Sequence, residues 1–227
     1  MLQLDISWIT KVKNVESAAV YLRERGFTSR ETRSLTQPGG IKLVRDSTIQ
    51  RICEAAMCTP NDLFRFVGDA KSNLRVLNLL PPSRPADLLK HLPQAAVEAL
   101  MDKAKETAIP SAIASGKLDG KLRLNVLHLI EQRQQLRPQR YLMEKGFTRM
   151  EARKLLDPKR TSFKVTMLHR LCKCFGCLPN DLFNWEGSEA HHLNVLRKEP
   201  VVDLQQLMNN MTPQDARRFL RQIRKNE

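Results

Sequence analysis

Apolar and polar positions along this chain follow two rhythms, and the whole sequence of rhythms runs through twice. Leu2, Gln3, Leu4, Asp5 and Ile6 alternate with the period of a half-buried strand, and Leu122, Arg123, Leu124, Asn125 and Val126 repeat the alternation. A lone short strand leaves backbone groups unpaired, so these two are expected to pair with each other across a pseudo-two-fold axis. A short helix carrying Trp8, Ile9 and Val12 behind a capping Ser7 comes next, matched by His128, Leu129 and Gln132. Ala18, Ala19, Tyr21 and Leu22 predict a further helix, matched by Tyr141 and Leu142.

That helix ends in the clearest repeat, YLRERGFT at 21–28 and YLMEKGFT at 141–148. Gly26 and Gly146 stand where a helix end needs a residue that accepts positive φ, and Phe27 and Phe147 then enter the core. Thr28 with Glu31, and Thr148 with Glu151, have the spacing of a capping box, so another helix starts at each. Both of these helices keep one apolar stripe, ending at Leu35 or Leu155, and turn Ser29, Arg30, Arg33 and Ser34 or Arg149, Met150, Arg153 and Lys154 outward. Pro38 and Pro158 stop them.

A loop follows, one residue longer in the first passage, and a helix opens near Thr48 or Thr166. The segments TPNDLF and LPNDLF then each start a helix with proline in its first turn and Asp62 or Asp181 two residues later. Thr59 can cap the first of these, and Leu178 cannot cap the second. Beyond them, Leu74, Val76 and Leu77 match Leu193, Val195 and Leu196. Two amphipathic tail segments close each half, through Leu88, Leu92, Val97 and Leu100 and through Leu204, Leu207, Phe219 and Ile223. The tails are expected to be packing surfaces, open to a second copy or a protein partner.

Repetition on this scale is a duplication. It divides the chain into a first repeat at 1–108, an Ala-, Ser- and Gly-rich linker at 109–120 and a second repeat at 121–227, each repeat of ordinary domain size. With aromatics at only 5% of residues, the core falls to aliphatic side chains on helices, and the expected fold class is all-α, apart from the two short N-terminal strands.

The formal net charge is +14, which points to nucleic acid as the partner class. No apolar run of about 18 residues is present and the N-terminus has no secretory signal pattern, so a cytoplasmic location, associated with the nucleoid, is expected. The cysteine count of five, odd and without an export signal, favours reduced thiols. Cys172, Cys174 and Cys177 with His169 suggest zinc at first sight. The first repeat offers only Cys53 and Cys58 and no fourth ligand, so neither a metal nor a cofactor is expected. Phosphate loops, nucleophile–base pairs and HExxH patterns are absent, which argues against an enzyme.

The corners GFTSRETRSL and GFTRMEARKL, the later helices with Arg51, Ile52 and Cys53 or Arg170, Leu171 and Cys172, and the closing PNDLF together resemble the Cro/lambda-repressor-like helix-turn-helix family, also called the XRE family. The resemblance covers most of each half. It implies two tandem helix-turn-helix domains forming an intrachain pseudo-dimer. It also implies that the helices beginning at Thr28 and Thr148 are recognition helices, laid in the major groove of double-stranded DNA. The DNA-contacting set expected on this basis is Thr28, Ser29, Arg30, Arg33, Ser34 and Lys42 in the first half. In the second it is Thr148, Arg149, Met150, Arg153, Lys154, Lys159, Arg160 and Lys164. Because the two reading faces differ, the expected target is an imperfect palindrome read by a transcriptional repressor. The competing expectation is a protein-binding adaptor or antitoxin-like partner built on the same helices.

Overall fold

Strand β1 (Leu2–Leu4) opens the first half, and its partner is not the matching strand of the second half. The structure is a computed structural model that describes residues 1–37, 42–68, 72–79 and 120–198. After β1 come helices α1 (Trp8–Val12), α2 (Ala18–Glu24) and α3 (Ser29–Thr36), strand β2 (Leu43–Arg45) and helix α4 (Asp46–Ala56). A 3-10 turn (Pro60–Leu63), strand β3 (Phe64–Phe66), a second 3-10 turn (Asn73–Arg75) and helix α5 (Val76–Leu79) complete that half. The second half repeats the order with β4 (Gly120–Leu124), α6 (Val126–Gln132), α7 (Pro138–Glu144), α8 (Arg149–Leu155) and β5 (Ser162–Lys164). Helix α9 (Val165–Phe175), α10 (Pro179–Leu182), β6 (Phe183–Gly187) and a 3-10 turn (His192–Leu196) follow. Pro38, the Gly39–Gly40 pair, the tail segments and residues 109–119 of the linker lie outside the described residues; Gly120 belongs to β4 and pairs with Gly187.

The expected all-α fold is corrected by these strands: the fold is mixed α and β, with three two-stranded antiparallel sheets among the described residues. β1 pairs with β3, Leu2 opposite Phe66 and Leu4 opposite Phe64, while β4 pairs with β6, Leu122 opposite Trp185 and Leu124 opposite Phe183. Pairing inside each half buries all eight of these side chains. The residues after PNDLF thus supply the edge that the N-terminal strands need, and the expected pairing of those strands with each other does not occur.

The strand pair that joins the halves is β2 with β5, in segments read from sequence as loop. Leu43 lies opposite Lys164, Val44 opposite Phe163 and Arg45 opposite Ser162. Val44 and Phe163 hold the same place in the duplication, so the local two-fold axis passes between them. Matched hydrogen bonds run either side of it: Asp46 N–H donates to Thr161 O at 3.0 Å and Val165 N–H to Lys42 O at 3.0 Å. Farther on, Asn61 N–H donates to Asn180 Oδ1 at 2.8 Å and Asn180 N–H to Asn61 Oδ1 at 2.9 Å. Such reciprocity is the signature of an isologous interface, here within one chain.

The free edge of β4 is closed by a polar stripe on α4 from the other half. Gln50 donates from Nε2 to Gly120 O at 3.1 Å and accepts from Leu122 N–H at Oε1, 3.0 Å, replacing the strand that the edge lacks. Asp46, one turn earlier, accepts from Leu124 N–H at 3.4 Å. On the other side of the axis Val165 and His169 stand at these places, so the two halves are bound by related but unequal contacts.

His192 adds a pH dependence. The residue is 5% exposed, and burial, followed by repulsion from His191, lowers its pKa to about 3. The folded chain therefore stays unprotonated at this site while the unfolded chain binds a proton below about pH 6.5. Stability from this residue is complete above about pH 6.5 and is lost as pH falls toward 3. Between pH 7 and pH 5 the loss is on the order of 2 kcal/mol, and buried His128 and half-buried His169, also shifted down, act in the same direction. Urea unfolding at the two pH values checks this. The variant His192→Asn, which carries the residue found at position 73 of the first half, is expected to flatten the slope; an unchanged slope would refute the assignment.

Candidate nucleic-acid interface

Each corner is built from a capped helix, a glycine and a dedicated arginine. Thr28 Oγ1 accepts from Glu31 N–H at 3.2 Å while Glu31 Oε2 accepts from Thr28 N–H at 2.7 Å, closing the capping box at the start of α3. Thr148 and Glu151 close the same box for α8, at 3.2 and 2.9 Å. Gly26 and Gly146 have φ of 80° and 86°, and Phe27 and Phe147 are buried behind them. Arg51 on α4 then donates to Glu31 Oε1 at 2.8 Å and to Gly26 O at 2.9 Å, with its guanidinium 4.1 Å from the centre of the Phe27 ring. Arg170 on α9 does the same with Glu151, Gly146 and Phe147. Burial alone would raise the Glu31 carboxyl, but the Thr28 and Arg51 bonds outweigh it and hold the group below the usual glutamate range. The Thr148 N–H leads the same lowering at Glu151.

The two braces leave the outward faces of α3 and α8 to other residues. Thr32 and Leu35, or Ala152 and Leu155, face the core. Thr28, Ser29, Arg30 and Arg33 are exposed and Ser34 is half-buried; Thr148, Arg149, Met150, Arg153 and Lys154 are exposed, Met150 at 62%. Among the described residues, the side chains of Arg30, Arg33, Arg149, Arg153 and Lys154 make no hydrogen bond or ion pair, in contrast to Arg51 and Arg170. Arg30 and Arg149 lie in the first turn, beside the positive helix start, while Arg33, Arg153 and Lys154 lie in the last turn. Five cations without a hydrogen-bond or ion-pair partner among the described residues, on the outward faces of two helices, favour an anionic partner.

No protein-family model, curated protein or solved structure matches this chain.

The loop candidates divide. Lys42, Lys159 and Lys164 are exposed, with Lys164 at the end of β5. Arg160 turns inward between the halves: its Nη2 donates to Leu124 O at 3.4 Å, its Nε is buried without a partner among the described residues, and it attracts Asp46. Burial raises the Asp46 carboxyl and Arg160 opposes that rise, so this pair serves the junction of the halves rather than an outer surface. Arg45 was missed. The one-residue difference in loop length hides that Arg45, not Lys42, is the counterpart of Lys164, a match that the strand register makes plain.

All five cysteines are free thiols. Hydrogen bonding to Cys177 and burial push the Cys172 thiol far up, away from the thiolate that a metal requires. Among the described residues no group of three or more His, Cys, Asp or Glu side chains is placed to hold a metal, and no helix is long and apolar enough to cross a membrane.

Proposed function

We propose that this chain is a sequence-specific double-stranded DNA-binding regulator of the Cro/lambda-repressor-like kind, a repressor that acts by occlusion from the cytoplasm at the nucleoid. One observation carries the reading. Two capped helices whose outward cations have no protein partner are related by a two-fold axis, and duplex DNA has local two-fold symmetry as well. Helices α3 and α8 each enter a major groove, about 34 Å apart along one face of the duplex, and exclude other proteins from the site. Arginine pairs bidentately with guanine, and the helix starts take backbone phosphate. The reading faces differ at three positions, Ser29, Arg30 and Ser34 against Arg149, Met150 and Lys154, so the two half-sites are unequal.

Selection of bound sequences from a random duplex library at near-physiological salt tests the proposal. A motif of two unlike parts spaced by one helical turn is the expected outcome, with affinity falling by orders of magnitude between about 50 and 200 mM salt. Absence of any enriched motif would sink it in favour of a protein-binding adaptor.

A further inference from the structure

The β2–β5 ribbon has one face in the core, through Val44 and Phe163, and one face outside. Leu43, 58% exposed, lies beside Lys164 on the outer face, and Arg45 lies beside the half-buried Ser162. Arg45 and Lys164 are therefore diagonal neighbours across the axis, about 7 to 8 Å apart at the backbone. Among the described residues neither side chain has a hydrogen-bond or ion-pair partner. Two like charges held this close on an exposed face repel each other unless an anion sits between or beside them.

The ribbon also occupies a particular place relative to α3 and α8. Residues 37–42 and 156–161 are all that separate the ends of those helices from β2 and β5, whereas the other contact on the axis, Asn61 with Asn180, follows the 11-residue helices α4 and α9. Of the two contacts on the axis, the ribbon is thus the one nearer in sequence to the two exposed helices. If those helices read successive major grooves on one face of a duplex, the minor groove faces the protein at the dyad between them.

We propose that the outer face of the β2–β5 ribbon is a third DNA contact, placing Arg45 and Lys164 at the minor groove in the centre of the site. This rests on the DNA-binding reading. A minor groove is about 6 Å wide, too narrow for the ribbon itself but matched to two diagonal basic side chains. Narrow A·T-rich stretches concentrate negative potential there, so the ribbon selects the composition of base pairs that α3 and α8 never touch. Leu43 rests against sugar edges, where an apolar side chain carries no desolvation cost.

The test uses the full chain and two duplexes with identical selected half-sites, one with an A·T centre and one with a G·C centre. Wild-type protein is expected to prefer the A·T centre by about tenfold. The double variant Arg45→Gln, Lys164→Gln, at exposed positions, is expected to lose that preference. It should also bind about tenfold more weakly and show a salt slope reduced by about 2, while still discriminating the half-sites. Equal preference and slope in variant and wild type, or a wild type indifferent to the centre, would overturn the ribbon contact and leave the DNA reading intact. Failure of wild type to bind any selected duplex would remove both.

Discussion

Exchanging Arg33 and Arg153 for glutamate together is expected to abolish specific duplex binding, raising Kd by more than about 100-fold. Both residues stand at the same place in the duplication, exposed on the outward face of α3 and α8 and without a protein partner among the described residues. Each loses a contact of about 1 to 3 kcal/mol and acquires a charge that repels phosphate. The fold is not at stake, because Thr32 and Leu35 or Ala152 and Leu155 hold the helices from the inner side. Fluorescence anisotropy with the selected duplex reads the result, with circular dichroism as the control. Binding within about threefold of wild type would mean that these helices do not read DNA.

The second large effect concerns the junction of the halves. Phe163→Ala is expected to destabilise the chain by about 3 to 5 kcal/mol, the range for emptying a buried phenylalanine site. Phe163 is 3% exposed, sits opposite Val44 on the ribbon and meets the Phe183 ring edge-on at 5.8 Å. Its loss therefore weakens the second half and the contact with the first at one stroke. Urea unfolding followed by the fluorescence of Trp8 and Trp185, one in each half, should show both probes shifting together. Leu136→Ala is the control, since Leu136 is 96% exposed and its truncation should cost less than about 0.5 kcal/mol. A comparable small effect for Phe163 would show that the ribbon is not what joins the halves.

Local chemistry was readable where a residue type has few other uses. Gly26 and Gly146 adopt positive φ, the two Thr–Glu capping boxes close, and Phe27 and Phe147 are buried, all as their spacing implies. What escaped was tertiary in origin. β2 and β5 are three residues each, too short for alternation to register, and either one makes sense as a strand only when the other copy of the duplication is beside it. PNDLF has the signals of a helix start and hides β3 and β6, because that helix is a single turn that ends where the strands begin. Asp46 and Gln50 look like ordinary polar residues of an exposed helix face, yet both are buried because the edge of β4 needs them. Ser7 illustrates the opposite error: it precedes α1 without any cap bond from its side chain.

At the site, the outward faces of α3 and α8 were legible from their stripes, and the sorting of arginines was not. Arg51 and Arg170 are as basic as Arg33 and Arg153 in composition. Only the structure separates the pair that braces each corner from the pair with nothing to hold.

The pairing of Val44 with Phe163 is made within one polypeptide, and that changes how such a regulator would respond to its own abundance. A repressor assembled from two separate chains must first find its partner, so at low copy number the active species falls with the square of chain concentration. Here the second half is always present at the effective concentration set by the connecting chain. On the DNA-binding proposal, occupancy of a target site should therefore rise in simple proportion to the number of molecules, without a threshold, and dilution should not dissociate the pair. A DNA-binding regulator of this design would suit graded control at a few copies per cell, where a dimerising repressor would be largely inactive.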